Sequence, residues 1–424
     1  MKKKFLSRRA FLAQSAAAAA APLILPTGVL AAHGRPGAND RVVTGHIGIG
    51  GMGSGHLGAL KDQAGALCDV DQNHLKRARE IVGRAVDTYT DYRRILDRQD
   101  IDAVVIASPD HWHAVQMVHA CEAGKDVYVE KPACNTIAEG QAMMRAANRF
   151  GRVVQVGSQG RSTPAAHAAC TYIRNGQLGQ VQRVDCWHYE NPVGGLKPDC
   201  DPPPELDWDM WLGPARWVPY NPDRVHFNFR WFLDFGGGNI RDRGAHVFSV
   251  VLWCLNLDHA GPVRVSATGE PPHEGIWDCP TKMDVTYEFK NPDITLTWSQ
   301  PGTKPVDSAF GAVYTGTKDK LIVLGGDGGC KTEDKAMNYA PPADGQRVFK
   351  SPGHRENWFE CIKTRQKPLM NIEAAYRVAA LCVLGNVSYR LGRPLEWDPV
   401  KEIVAGDEQA NRMLNNPGRG PWRV

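Results

Sequence analysis

The sequence predicts an α/β protein. A doubly wound parallel sheet should occupy its first half, and an α+β domain with an open-faced, largely antiparallel sheet its second. Three observations predict this. A glycine-rich turn, GIGGMG, follows a short apolar run that begins at Arg41. Apolar runs then alternate with helix-length segments to about residue 159. Beyond residue 180 the runs change to partial apolar–polar alternation, as in VQRVDCW and MDVTYEFK. At 424 residues the chain also exceeds what one ordinary core fills, so two domains are expected.

The first run, RVVTGHI, reads as a strand, and Gly48, Gly50 and Gly53 after it form G-x-G-x-x-G around Gly51 and Met52. The first glycine permits a tight turn, the second lets a pyrophosphate approach the backbone, and the third lets helix and strand pack closely. The next strand ends at Asp69, 16 residues past Gly53, where an acid can accept ribose hydroxyls. An acid there repels a 2′-phosphate, so NAD is favoured over NADP. Asp69 could instead cap the following helix, a role Asp71 could fill equally well.

AVVIA has no polar alternation and reads as a parallel strand buried on both faces. The loop at its carboxyl end, SPDHWH, places Ser108, Pro109, Asp110 and His113 where such sheets bind ligands. His111 and His113 resemble a metal pair but lack a third ligand, and no metal site is expected. The strand DVYV ends on Glu130, Lys131 and Pro132. A last strand in GRVVQVGSQ completes a dinucleotide-binding domain over residues 40–160.

Residues 161–424 form the second domain. An aromatic, proline-rich insertion carries Trp208, Trp211, Trp217 and Trp231. It can fold over a site, stacking rings on a sugar, or form a local mini-core. GGGNIRDRGAHVF then opens a helix in which Asp242 and His246 stand at i and i+4, hence on one face.

Taken together, GIGGMG, CDVD, SPDHWHA, AGKDVYVEKPACNTIAEG and GGGNIRDRGAHVF resemble the Gfo/Idh/MocA oxidoreductases, relatives of glucose–fructose oxidoreductase and inositol 2-dehydrogenase. The resemblance covers essentially the whole chain after the leader. It implies a Rossmann domain followed by an open-faced sheet domain used for homo-oligomer contacts. It implies an NAD(P)-dependent exchange of hydride with a secondary hydroxyl of a sugar or polyol. It gives Lys131 to the reacting hydroxyl and the nicotinamide, His246 to the hydroxyl proton, and Asp242 to orienting His246 or binding substrate. Glu130 falls in the cofactor set with the residues named above. Some relatives instead cleave glycosides by transient oxidation with bound NAD. One position departs from the pattern: Ser249 stands where an acid is common.

Residues 1–32 read as a leader: a basic start, an Ala-rich apolar run, and small residues at Ala31 and Ala32. SRRAFL, from Ser7 to Leu12, matches the twin-arginine export pattern, so the translocase is an expected partner and the destination periplasmic or otherwise extracytoplasmic. Removing the five basic residues of that leader takes the formal charge from +4 to −1, leaving no basic footprint for nucleic acid. Eleven cysteines contain no C-x-x-C pair, and an odd count cannot pair completely within one chain.

Overall fold

The computed structural model describes residues 41–302 and 308–424, and the leader lies outside them. Val43–Val424 form one compact unit. Its first part is a six-stranded parallel sheet in the order β3-β2-β1-β4-β5-β6. The strands are β1 (Thr44–Ile47), β2 (Ala64–Cys68), β3 (Asp87–Tyr89), β4 (Ala103–Ile106), β5 (Asp126–Val129) and β6 (Val154–Val156). The order reverses between β1 and β4, the switch point at which open α/β sheets bind ligands. β4 and β5 are buried at every position, as unalternated apolar runs should be.

The crossover helices start and stop where their caps dictate. Helix α1 (Gly51–Leu60) follows the glycine turn. Helix α2 (Gln72–Val82) is capped by the Asp71 side chain, which accepts from Asn73 N, and ends at left-handed Gly83. Helix α3 (His113–Glu122) follows the Ser108–Trp112 loop. Helix α4 (Ile137–Phe150) opens with a Thr136/Glu139 capping box and closes at Gly151.

The second part is a nine-stranded sheet of β7 (Val181–Trp187), β8 (Arg264–Glu270), β9 (Lys282–Lys290), β10 (Asp293–Gln300), β11 (Gly311–Gly316), β12 (Lys320–Leu324), β13 (Lys331–Thr332), β14 (Leu395–Asp398) and β15 (Ile403–Val404). Its order is β13-β12-β11-β7-β10-β9-β8-β14-β15, and among the described residues only β7 and β10 pair in parallel. In β9 (Lys282–Lys290), Met283, Val285, Tyr287 and Phe289 point into the core while Lys282, Asp284, Glu288 and Lys290 face outward. The outward face carries polar pairs such as Arg183–Asp185 and Thr297–Asp185. The inward face packs on one long helix, α7 (Ile372–Leu391). That helix is apolar nearly all round because it lies between β8 (Arg264–Glu270) and α4, so one hydrophobic cluster joins both sheets.

Two details differ from the sequence expectation. The expected single helix over Asn239–Cys254 is broken at Arg243 into α5 (Asn239–Asp242) and α6 (Gly244–Cys254). The aromatic insertion builds its own small core from Leu206, Trp208, Trp211, Leu212, Tyr220, Phe229, Phe232 and Phe235, leaving Trp217 exposed.

Candidate active site

At the carboxyl ends of β1, β2, β4 and β5 lies a cavity of ≈ 840 Å³. Gly48, Gly50, Gly51, Met52, Asp69, Ser108, Pro109, Asp110, His113, Glu130, Lys131, Asp242 and His246 all line it. Gly53 does not. A Cβ there would stand 2.0 Å from Gly48 O, so its place is the close approach of α1 to the turn. Gly48 has φ +78, and a side chain would strike Ser108 N. At Gly51 and Gly55 a Cβ would meet nothing within 4 Å, so open space lies over the start of α1. Free N–H groups and open space at a helix start form a cradle for phosphate.

Asp69 and Asp71 divide the roles that the sequence left open. Asp71 caps α2. Asp69, buried at the end of β2, accepts from Ile49 N (2.6 Å) and Asp71 N (3.0 Å), and pairs with His74 Nδ1 at 3.1 Å. Although burial pushes the His74 imidazole down, the Asp69 hydrogen bond and charge raise its pKa above the ordinary value. Asp69 is thus fixed by backbone at the rim of the cavity. His226, from the insertion, reaches Asp71 Oδ2 at 3.0 Å and ties that insertion to the first sheet.

In the Ser108–His113 loop the two histidines bind backbone rather than each other. His111 Nε2 meets Trp211 O at 2.9 Å, and burial lowers its pKa to about 4. His113 meets Pro132 O through Nδ1 (2.8 Å) and Ser108 O through Nε2 (2.9 Å), so it ties this loop to the Lys131 segment. Ser108 Oγ donates to Gln116 Oε1 at 2.7 Å.

Glu130 and Lys131 follow the end of β5, and the Lys131–Pro132 peptide is cis. The two charges do not pair side chain to side chain. Glu130 Oε1 takes His56 Nε2 at 2.8 Å and Gln159 Nε2 at 2.9 Å, and Oε2 accepts Lys131 N at 3.2 Å. Burial pushes the Glu130 carboxyl up, but the hydrogen bond and charge of His56, with Lys131 and His246, bring it down to about 2. Gly157 leaves room for it, since a Cβ there would stand 2.3 Å from Glu130 Oε1.

Lys131 Nζ crosses to the second domain. It donates to Asp242 Oδ1 at 2.6 Å and to Asp242 O at 3.1 Å, both partners buried. The contacts of the Asp242 carboxylate are Lys131, Arg230 and Arg243, so it orients the lysine and not His246. This corrects the expected Asp242–His246 partnership. The break at Arg243 separates the two residues onto different helices, although both still face the cavity. Burial opposes ionisation of Asp242, but Lys131, Arg230 and Arg243 outweigh it and hold the carboxyl far below its usual range.

His246 is 3% exposed, and its Nδ1 is buried with no hydrogen-bond partner among the described residues. Burial, then the charge of Lys131, lowers its pKa to about 3. The imidazole is therefore neutral at physiological pH and able to accept a proton. Ser249, one turn further, faces away from the cavity. Its Oγ accepts from Arg161 Nε at 2.9 Å and contacts Met370 Sδ, while Arg161 also grips Asp258.

The rest of the wall comes from the aromatic insertion and from residues to which the sequence assigned no role. Met210, Trp211, Phe227, Phe229 and Arg230 come from the insertion, whose mini-core also closes the cavity. Trp217 and Trp231 do not line it. Arg243 and Asp327 complete the end around His246, while His56, Gln159 and Arg355 complete the Glu130 side. Asp327 left no local signal beyond the glycines around it.

The glycine cradle, the acid at the end of β2 and the volume together fit a dinucleotide. Comparison with known proteins agrees. Residues 43–158 match the NAD-binding Rossmann fold of the GFO_IDH_MocA oxidoreductase family, and residues 187–326 and 331–424 match that family's C-terminal alpha/beta domain. Inositol 2-dehydrogenase of Salmonella paratyphi B is 30% identical over 151 residues, 34% of this chain and 45% of that protein. A glycosyl hydrolase family 109 protein of Shewanella pealeana is 29% identical over 200 residues, 38% of this chain and 44% of that one. In each the match spans about half the relative's length. The fold is shared with a levoglucosan dehydrogenase solved with NADH and levoglucosan, at TM-score 0.59 and 19% identity over 84% of this chain and 99% of that one. With both domain models matched across the described fold, this chain belongs to the Gfo/Idh/MocA oxidoreductase family.

Proposed function

We propose that the protein oxidises a secondary hydroxyl of a sugar or polyol with NAD as cofactor. The observation that carries this reading is the convergence of a buried Lys131–Asp242 pair and a neutral His246 in the cavity that the glycine turn opens. Bound NAD supplies the two-electron acceptor. The chain's own residues handle the proton and the geometry. His246 accepts the hydroxyl proton as hydride leaves the carbon; burial and then Lys131 keep its imidazole neutral beforehand, at the cost of basicity. Lys131, held by Asp242, donates a hydrogen bond to the substrate oxygen and stabilises the charge that grows there. The substrate carbon loses a hydride as the oxygen loses its proton, giving a carbonyl. In the reverse direction each group returns what it took.

The match to a family 109 glycosyl hydrolase favours a second reading, in which oxidation is transient and a glycosidic bond breaks. One experiment separates them. Protein loaded with NAD is mixed with free sugars and with their aryl glycosides. Absorbance at about 340 nm reports retained reduction, and aglycone release reports cleavage. Net NADH from free sugars supports the dehydrogenase. Aglycone release without net NADH supports the hydrolase, and neither product removes both readings.

Asp69 should hold the adenosine ribose, and its acid should disfavour NADP. Asp69→Ala is expected to weaken NAD binding about tenfold or more, the loss of a charge-assisted hydrogen bond. Calorimetry on the apoprotein checks this, and unchanged affinity would remove Asp69 from the site. The open polar face of the second sheet is the proposed homo-oligomer surface. Export by the twin-arginine route is also proposed. Replacing Arg8 and Arg9 by lysine should leave folded protein in the cytoplasm, and continued export would refute the assignment.

A further inference from the structure

Three cations converge on one carboxylate at the substrate end of the cavity. Lys131 Nζ lies 2.6 Å from Asp242 Oδ1, Arg230 Nε lies 3.3 Å from the same oxygen, and Arg243 Nε lies 3.3 Å from Oδ2. Asp242 takes hydrogen bonds from Lys131 but leaves the two arginines unsatisfied. Arg230 Nε is buried and makes no hydrogen bond, although Arg230 Nη1 donates to Phe227 O at 3.1 Å. The guanidinium of Arg243 makes no hydrogen bond among the described residues. Each guanidinium carries five N–H donors in a fixed fork, so donors exceed acceptors at this end.

Arg230 is not an ordinary solvated arginine. Its side chain is 22% exposed, and its guanidinium lies 4.2 Å from the Phe227 ring centre and 4.7 Å from that of Phe229. The aromatic pair holds the fork in place, which lowers the entropy lost on binding a planar anion. Of the other cavity acids, Asp69 is held by Ile49 N, Asp71 N and His74, and Asp110, which feels the charges of Arg230 and Lys131, makes no ion pair among the described residues, burial pushing its carboxyl up. Glu130 is engaged by His56, Gln159 and the backbone of Lys131. Asp327, at the same end of the cavity as His246, is a single carboxylate whose Oδ1 already accepts Gly329 N at 2.9 Å.

We propose that the substrate is a sugar acid whose carboxylate docks between Arg230 and Arg243 while a ring hydroxyl meets Lys131 and His246. This rests on the oxidoreductase reading and narrows its substrate class. A neutral sugar offers only hydroxyl acceptors to donors that are already charged, whereas a carboxylate offers paired oxygens with the geometry of the fork.

The test uses the full chain loaded with NADH. Methyl uronosides of the gluco, galacto and manno series are titrated beside their neutral methyl glycosides and glucose 6-phosphate, with the nicotinamide fluorescence as the readout. At least one uronoside is expected to bind about tenfold or more tighter than its neutral partner, the effect of a charge-assisted hydrogen bond. The preference should shrink as salt rises and collapse in Arg243→Gln, whose partly exposed side chain makes it the safer variant for folding. Equal affinity within every pair, absence of binding by all three uronosides, or a ratio unchanged in Arg243→Gln would overturn the proposal. So would tighter binding of glucose 6-phosphate than of any uronoside. NADH formation from NAD-loaded protein is read separately. Its failure counts against the oxidation, while the affinity ratio still decides the carboxylate.

Discussion

Replacing Lys131 by methionine should slow hydride transfer by about 10²- to 10⁴-fold, the range for groups that move or share a proton in the transition state, while NAD remains bound. The side chain crosses from the end of β5 to Asp242 on the second domain, so it is placed by both halves of the fold. Methionine keeps the apolar stem and removes only the donor. Stopped-flow reduction of bound NAD gives the rate, and calorimetry gives the cofactor affinity. A variant that keeps full rate would make the lysine a structural strut between the domains.

The second large effect is on stability. Asp242→Ala leaves Lys131, Arg230 and Arg243 facing one another without their shared carboxylate. Removing one member of a buried ion pair costs ~3–5 kcal/mol because the remaining charge is uncompensated. A loss of that size should appear as a lower urea midpoint, and a loss below ~1 kcal/mol would show that solvent already screens the cations. The sign with pH follows from the depressed pKa of Asp242. Its contribution is fully present above the unfolded value of about 3.9 and is lost only as pH falls through the lower folded value. At pH 7 the wild-type and variant should therefore differ by the whole amount.

The first sheet was legible because its signals are local. A glycine turn after a strand and unalternated apolar runs each report their own few residues, as does an Asp at a strand end. Lys131, Asp242 and His246 were legible as motifs, yet their partners were not. Spacing at i and i+4 suggested an Asp242–His246 pair. The helix break at Arg243 and the reach of Lys131 across 111 positions of sequence replaced it with an Asp242–Lys131 pair. Long-range contacts of this kind leave no periodicity to read. Arg230, Asp327 and Arg355 were missed for the same reason, since each belongs to a segment whose local pattern concerns a loop or helix. The insertion could not be decided from composition, and the structure makes it both a mini-core and a cavity wall, because buried Trp211 and Phe229 serve each at once.

The central claim is that Lys131 and His246 act in one proton-transfer step, and one measurement tests it most directly. Single-turnover reduction of bound NAD by an active sugar is compared in wild-type, Lys131→Met, His246→Ala and the double variant. Groups that act as a unit are strongly non-additive, so the double variant should be little slower than the slower single one. If the two single losses multiply in the double variant, the residues act independently and the shared step is wrong.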